Sequence, residues 1–161
     1  MIKVVSRLAS ILTVAGAMVF FSNCGGDDPK DPAQKVQLEK LSTTWDIFSA
    51  TLDGTPRTDD FTGFTLTISG AFNSNDPDGP YSYSVSGTRP TPSPWPASGQ
   101  WEFAVLGTGD TGTLLRSDGV DVTYSISSNN QLTLTFECED CDYAGSRTEE
   151  VNGTWVFVLD K

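Results

Sequence analysis

The sequence predicts an all-β fold, most simply an up-and-down antiparallel barrel of about eight strands. Apolar and polar residues alternate along successive segments, turn-forming residues separate these segments, and no useful helical period follows the N-terminal segment. Such alternation is typical of strands with one buried and one solvated face. Short connections favour the pairing of successive strands, and closing the sheet removes exposed edges. A two-sheet β-sandwich remains the alternative, because alternation alone does not separate the two folds.

The strands are placed by the alternation and by the turns between them. Trp101, Phe103 and Val105 define one apolar face, and the turn signal Ser117-Asp118-Gly119 precedes the strand that starts at Val120. The predicted strands lie at about 43–53, 62–70, 81–87, 100–106, 112–116, 120–127, 131–138 and 152–159.

Two of these strands depart from simple alternation. In the first strand the apolar phase slips by one residue at Ile47–Phe48, which predicts a β-bulge or a sharp bend there. In the last strand, 154–159, the residues of both phases are apolar, which predicts that this strand is covered on both sides.

The N-terminal segment has the order of a secretory signal. Lys3 and Arg7 precede an uncharged apolar run at 8–21, which is shorter than the ~20 residues that a membrane span needs. Phe21-Ser22-Asn23-Cys24, followed by Gly25-Gly26-Asp27-Asp28, resembles the lipobox of Bacteroidota-type bacterial lipoproteins. The resemblance implies that residues 1–23 are removed and that Cys24 carries diacylglycerol and a further fatty-acid chain such as palmitate. A plain signal peptide with a free Cys24 is the alternative.

The remaining chain divides into a tether and one domain. Residues 24–40 are rich in Gly, Asp, Pro, Lys and Gln, which predicts an acidic flexible tether, with a short helical turn near Val36–Leu41 as an option. Residues 41–161 are enough for a single domain with its own core.

The amino-acid composition excludes several kinds of catalytic and binding function. The chain has no histidine, so histidine-based catalysis and metal binding are excluded. Its net charge is −11, and loss of Lys3 and Arg7 with the signal leaves 8 basic against 21 acidic residues, or −13. An acidic protein is repelled by phosphate backbones, which argues against nucleic-acid binding. No carboxylate pair stands out by its spacing. We therefore expect no catalytic residues, no metal site and no cofactor.

Four segments resemble the lipocalin-like domains of bacterial lipoproteins. They are Leu41-Ser42-Thr43-Thr44-Trp45, Trp95 to Phe103, Leu115 to Gly119, and Asn152 to Phe157. The resemblance covers about residues 41–161. It implies a barrel that binds a small apolar or amphipathic ligand, in a domain type of uncharacterised function.

Aromatic residues on the predicted strands are the candidates for lining such a cavity. Because small eight-stranded barrels are also filled by their own side chains, these aromatics equally fit a packed core. Trp95, in a proline-rich loop, is expected to pack back onto the barrel end, with sugar stacking as the alternative. The candidate ligand-lining residues are Trp45, Tyr83, Trp101, Tyr124, Phe136 and Trp155.

The sharpest local motif is Cys138-Glu139-Asp140-Cys141. Such a CxxC forms a redox pair, half of a zinc site or a disulfide. No second CxxC and no histidine completes a zinc site, and the surrounding acidic residues raise a thiol pKa rather than lower it. Outside the cytoplasm neighbouring cysteines oxidise, so we predict a Cys138–Cys141 disulfide.

The functional expectation is a non-enzymatic lipoprotein anchored in the outer membrane, facing the periplasm or the cell surface. The first hypothesis is a small-ligand-binding module with a hollow barrel. The alternative is a filled barrel that interacts through its outer surface with envelope proteins or glycans. The two hypotheses differ in whether the barrel interior is hollow.

Overall fold

The computed structural model describes residues 31–139 and 151–161. Within these two ranges, one α-helix, α1 (Ala33–Leu41), precedes nine strands, and a short 3-10 helix spans Thr58–Phe61. The strands are β1 (Thr44–Leu52), β2 (Thr55–Pro56), β3 (Thr65–Ser69), β4 (Tyr81–Ser86), β5 (Ser98–Leu106), β6 (Thr111–Arg116), β7 (Asp121–Ile126), β8 (Gln131–Cys138) and β9 (Gly153–Asp160).

The strands form a closed antiparallel barrel. From β3 to β9 each strand pairs with the next one in the chain, β1 pairs with β3, and β9 returns to pair with β1. The barrel thus contains β1 and β3 to β9, while the two-residue β2 is a hairpin extension of β1. The predicted up-and-down barrel is confirmed, and each predicted strand corresponds to one barrel strand.

The predicted bulge in the first strand is confirmed. The register between β1 and β9 shifts between Ile47 and Ser49, which leaves Phe48 as the extra residue, with 61% of its surface exposed. Because of this shift the Ala50 side chain faces the interior, where it is fully buried. A second bulge, in β5, was not predicted: the register with β6 shifts between Phe103 and Val105, so Val105 points outward and is 60% exposed.

The last strand is apolar on both faces but is not equally buried on both. Trp155, Phe157 and Leu159 face the interior and are buried. Val156 and Val158 lie on the outer face and are half-buried. Val156 lies opposite Thr135 of β8, and Val158 lies opposite Thr133. The strand was predicted to be covered on both sides. Within the described residues, only its inner face is fully covered.

Two tyrosine rings lie over glycines on the neighbouring strand. Tyr83 is directly opposite Gly99, and Tyr124 is directly opposite Gly112. A Cβ atom at Gly112 would lie 2.7 Å from a ring carbon of Tyr124, and one at Gly99 would lie 2.7 Å from the Tyr83 hydroxyl. The missing side chains therefore make room for the rings where the sheet curves.

Helix α1 occupies about half of the predicted tether, residues 33–40 of 24–40, and it includes the helical turn that was an option near Val36–Leu41. Leu38 and Leu41 are buried against the barrel, and Gln37 is buried with its amide hydrogen-bonded. The compact unit that contains the barrel spans Asp31–Lys161 and includes this helix. Tertiary contacts stabilise this helix, since its own apolar pattern is weak and a helix this short is marginal alone. In the described part of the chain, no helix has the length and apolar character that crossing a bilayer requires.

Candidate functional site: the barrel interior and its two ends

The barrel interior is packed with side chains. Aromatic rings form a continuous network through it, and Phe157 alone contacts Phe61, Phe64, Trp95 and Phe136 at centroid distances of 5.0–6.0 Å. Ring pairs in this range add stability beyond the area they bury. The largest fully buried side chains are Trp45, Trp155, Tyr124, Phe61, Phe64, Phe157, Leu41, Leu66, Leu132, Leu134, Leu159 and Val122.

A small cavity remains in the middle of this packing. Its volume is about 20 Å³, and its wall includes Tyr83, Trp95, Trp101 and Arg116 together with aliphatic side chains. A space of this size holds about one water molecule. Small-molecule sites usually measure roughly 300–1,000 Å³. In this conformation the cavity is therefore too small for an organic ligand.

The structure places all six candidate ligand-lining residues inside the barrel, in different roles. Tyr83 and Trp101 line the small cavity. Phe136 stacks on Phe157 at 6.0 Å. The other three, Trp45, Tyr124 and Trp155, are completely buried and hold the barrel ends, as described next. The role of all six in ligand binding stays a prediction.

Two tryptophans fix the two ends of the barrel by the same contact. The Trp45 indole donates a hydrogen bond to the Leu41 carbonyl at 2.9 Å, where α1 ends. The Trp155 indole donates to the Val151 carbonyl at 2.8 Å, just before β9. Since β1 and β9 run antiparallel, these two bonds lie at opposite ends of the barrel. Each one ties the chain that enters a strand to the core.

Helix α1 lies across the end of the barrel that carries the loops 70–80, 107–110 and 127–130, here called the helix end. Gln37 bridges the gap: its amide donates to the Gly109 carbonyl at 2.6 Å and accepts from the Tyr124 hydroxyl at 3.1 Å. Lys40 forms an ion pair with Asp110. Burial, and then the Asp110 carboxylate, raise the pKa of Tyr124 to about 12.

The opposite end, here called the Trp95 end, carries the loops 53–64, 87–97 and 117–120. The loop 87–97, the Trp95 loop, inserts Trp95 into the barrel, where only 3% of its surface is exposed. Its ring contacts Phe64, Tyr83, Phe136 and Phe157 at 5.3–6.4 Å. The expectation that Trp95 packs back onto the barrel end is confirmed.

Arg116, at the end of β6, holds Trp95 in place. It is the one buried charged side chain among the described residues, with 2% exposure. Its guanidinium lies 4.6 Å from the centre of the Trp95 ring and donates to the Pro94 carbonyl at 3.2 Å. Asp118 balances its charge through two hydrogen bonds, at 3.2 and 2.5 Å. A buried cation needs such a partner, so the Ser117-Asp118-Gly119 turn supports the core as well as the chain reversal.

Sequence reasoning did not single out Arg116 as a core residue. A signal was present, since Gly112, Leu114 and Arg116 share one phase of β6 and that phase faces the interior. The sequence placed Trp95 at the barrel end, and the structure shows in addition that its side chain lines the central cavity.

The outer side of the Trp95 loop is concave. Residues 89–93 and 95–97 line a groove of about 370 Å³. Arg89 in this groove is half-exposed, and its guanidinium donates to the Trp95 carbonyl at 2.9 Å. This surface was not predicted as a site.

The cysteine predictions are only partly covered by the described residues. Cys138 is buried and disulfide-bonded. Cys141, its predicted partner, and Cys24, the predicted lipidation site, lie outside the described residues, so both assignments stay predictions. Within the described ranges, no group of three or more acidic or cysteine side chains is arranged to hold a metal ion.

Comparison with known proteins found no match: no protein-family model, curated protein or solved structure is detectably similar to this chain.

Replacing Asp118 with Asn tests the charge balance at the Trp95 end. We expect a loss of about 3 kcal/mol in the free energy of unfolding, because the buried Arg116 loses its carboxylate. Chemical denaturation measures the change. Asp121→Asn, at an exposed position of β7, is the matched control and should shift stability by less than about 0.5 kcal/mol. Equal effects of the two variants would contradict the assignment.

Alkaline pH tests the burial of Tyr124. Because the folded-state pKa is about 12 against 10.0 for an ordinary tyrosine, its stabilising effect is complete below pH 10 and is lost as pH rises toward 12. We expect the free energy of unfolding to fall by roughly 1–2 kcal/mol over this interval on account of Tyr124. The decline should be shallower in Tyr124→Phe. Parallel stability curves for the two proteins would refute this role.

Proposed function

We propose that the chain is a lipid-anchored cell-envelope protein that acts through the outer surface of a filled barrel. The observation that carries this proposal is the packed interior, where the cavity measures about 20 Å³. Side chains of α1 cover one end of the barrel, and Trp95 fills the other. A scaffold of this kind offers its loops to partners and keeps them in fixed positions. The proposal involves no catalytic step.

The membrane attachment in this proposal is a lipid on Cys24. Its support comes from the sequence, where a basic start and an apolar run end directly at a cysteine. Acyl chains contribute about 0.8 kcal/mol for each buried CH₂ group, so a lipidated cysteine with several chains would anchor stably. The outer membrane, on either its periplasmic or its external side, is the proposed location.

The connectivity suggests how the barrel would be oriented. The described chain starts at Asp31 and enters the barrel through α1, and Gln34 of α1 bonds to Asp78 in a loop of the helix end. A lipid at Cys24, a few residues earlier, would hold the helix end toward the membrane. The Trp95 end would then face away and meet envelope proteins or glycans. The net charge of −11 argues against nucleic acid as the partner.

A small-ligand-binding module is the second candidate. The observation in its favour is the cavity itself, because Tyr83, Trp95 and Trp101 give it aromatic walls. To hold an organic ligand the cavity would have to grow, and the Trp95 side chain is the part of the wall that a loop supplies. This second function therefore requires the Trp95 loop to move.

Fluorescence on vesicles tests the anchored orientation. Single cysteines for a donor dye are placed at Asn129 in the helix end and at Ser117 in the Trp95 end of the full lipidated chain. With acceptor-labelled lipid headgroups, we expect stronger energy transfer from position 129 than from position 117. A Cys24→Ala chain, which lacks the acyl site, should remain unbound and give no transfer from either position.

Equal transfer from both positions would contradict the orientation, and membrane binding of Cys24→Ala would contradict the anchor.

An environment-sensitive apolar dye separates the two candidate functions. The filled barrel should give no saturable signal, whereas a ligand-binding barrel should give one that small hydrophobic molecules displace.

A further inference from the structure

The groove on the outer side of the Trp95 loop has the dimensions of a binding site. Its volume of about 370 Å³ lies within the roughly 300–1,000 Å³ usual for small-molecule sites. Thr91 and Ala97 in its lining are exposed to solvent, and of its lining residues only Trp95 also lines the central cavity, so the filled interior does not prevent its use.

The walls of this groove are held rigidly. Pro90, Pro92 and Pro96 line it, and each proline ring fixes its own backbone φ angle. Beneath the groove the loop is secured by the buried Trp95 ring and by the hydrogen bond from Arg116 to the Pro94 carbonyl. A groove that is already ordered loses little conformational entropy when a ligand binds.

Arg89 gives the groove its charge. Its bond to the Trp95 carbonyl orients the guanidinium and leaves its other N–H groups available. Four of the other basic side chains in the described ranges form ion pairs with carboxylates, and the fifth lies over an aromatic ring. The four are Lys35, Lys40, Arg57 and Arg116, and the fifth is Lys161, over Trp45. Within the described residues, Arg89 alone has neither kind of partner.

We propose that this groove binds an organic carboxylate, with the carboxylate on Arg89 and the apolar or ring portion against the proline faces. A planar guanidinium matches a carboxylate through two parallel hydrogen bonds. With one cation in a protein of net charge −11, a monoanion is favoured over multiply charged phosphates. Peptide C-termini and uronic-acid sugars both present this chemistry. The inference rests on the proposed function only for the direction in which the groove faces.

Nuclear magnetic resonance on the full chain, in an uncharged detergent, tests the proposal. The probes are N-acetylphenylalanine and glucuronate, each paired with a partner that lacks the carboxylate, N-acetylphenylalanine amide and glucose. We expect at least one acid to give saturable shifts at backbone amides of residues 89–97. Its uncharged partner should bind at least about tenfold more weakly, because it lacks the charge-assisted hydrogen bonds.

Arg89→Gln removes the charge and keeps an N–H donor for the Trp95 carbonyl. Affinity for the acid should fall at least about tenfold, and Arg89→Lys, which keeps the charge without the planar fork, should fall less. Arg57→Gln, the same substitution in another loop of the Trp95 end, should bind like the wild type. Thermal melting verifies that each variant is folded.

The pattern of acids that bind identifies the source of the carboxylate. Binding of N-acetylphenylalanine alone indicates a peptide C-terminus, and binding of glucuronate alone indicates an acidic sugar. Binding of both indicates that the site recognises the carboxylate whatever group carries it. Binding by neither acid, equal binding of the uncharged partners, or unchanged affinity in folded Arg89→Gln would overturn the proposal. None of these results depends on Cys24 or on a membrane, so failure here leaves the anchored orientation to its own test.

Discussion

The pairing of β9 with β1 is the constraint on which the rest of the structure depends. It joins the last strand to the first and turns an open meander into a barrel with an inside and an outside. The pairing spans the bulge at Phe48, where the extra residue restores inward facing for the second half of β1. Without that residue, Ala50 and Leu52 would face the solvent side, since a one-residue slip reverses the faces of a strand.

Once an eight-stranded barrel is closed, its interior must be filled either by side chains or by a ligand. Here the strands supply most of the filling, but the two ends need residues from outside the strands. Helix α1 brings Leu38 and Leu41 to one end, and the Trp95 loop brings an indole to the other. Polar contacts hold both additions: Gln37 with Tyr124 at the helix end, and Arg116 with Asp118 at the Trp95 end. The surface that remains for function is thus that of a fixed scaffold with rigid loops.

The sequence predicts most of the barrel because its strands obey local rules. The alternation of apolar and polar residues locates the strands. The phase slip at Ile47–Phe48 predicts the first bulge, since one extra residue keeps the apolar side chains on both sides of the slip inside the barrel. The bulge at Ala104 left no such trace, because Trp101, Phe103 and Val105 alternate without interruption. For helix α1 the sequence offered only an optional turn near Val36–Leu41, because the few apolar residues of this helix are buried only when the barrel end is present to contact them.

The features of the candidate site were harder to predict. Arg116 interrupts an apolar face with a charge, and its burial depends on Asp118, which is two residues away, and on the ring of Trp95, which comes from another loop. The groove around Arg89 exists because Trp95 is drawn inward. Both depend on contacts between segments distant in sequence, which neither composition nor periodicity encodes.

The free energy of unfolding of Trp95→Ala tests the central claim, that this loop residue completes the core of a filled barrel. If it does, the variant should lose about 3–5 kcal/mol, as expected when a large aromatic side chain is removed from a packed interior. Replacing Thr91, an exposed residue of the same loop, with Ala should cost less than about 0.5 kcal/mol. A Trp95→Ala protein as stable as the wild type would contradict the account, because the barrel would then be closed without its indole.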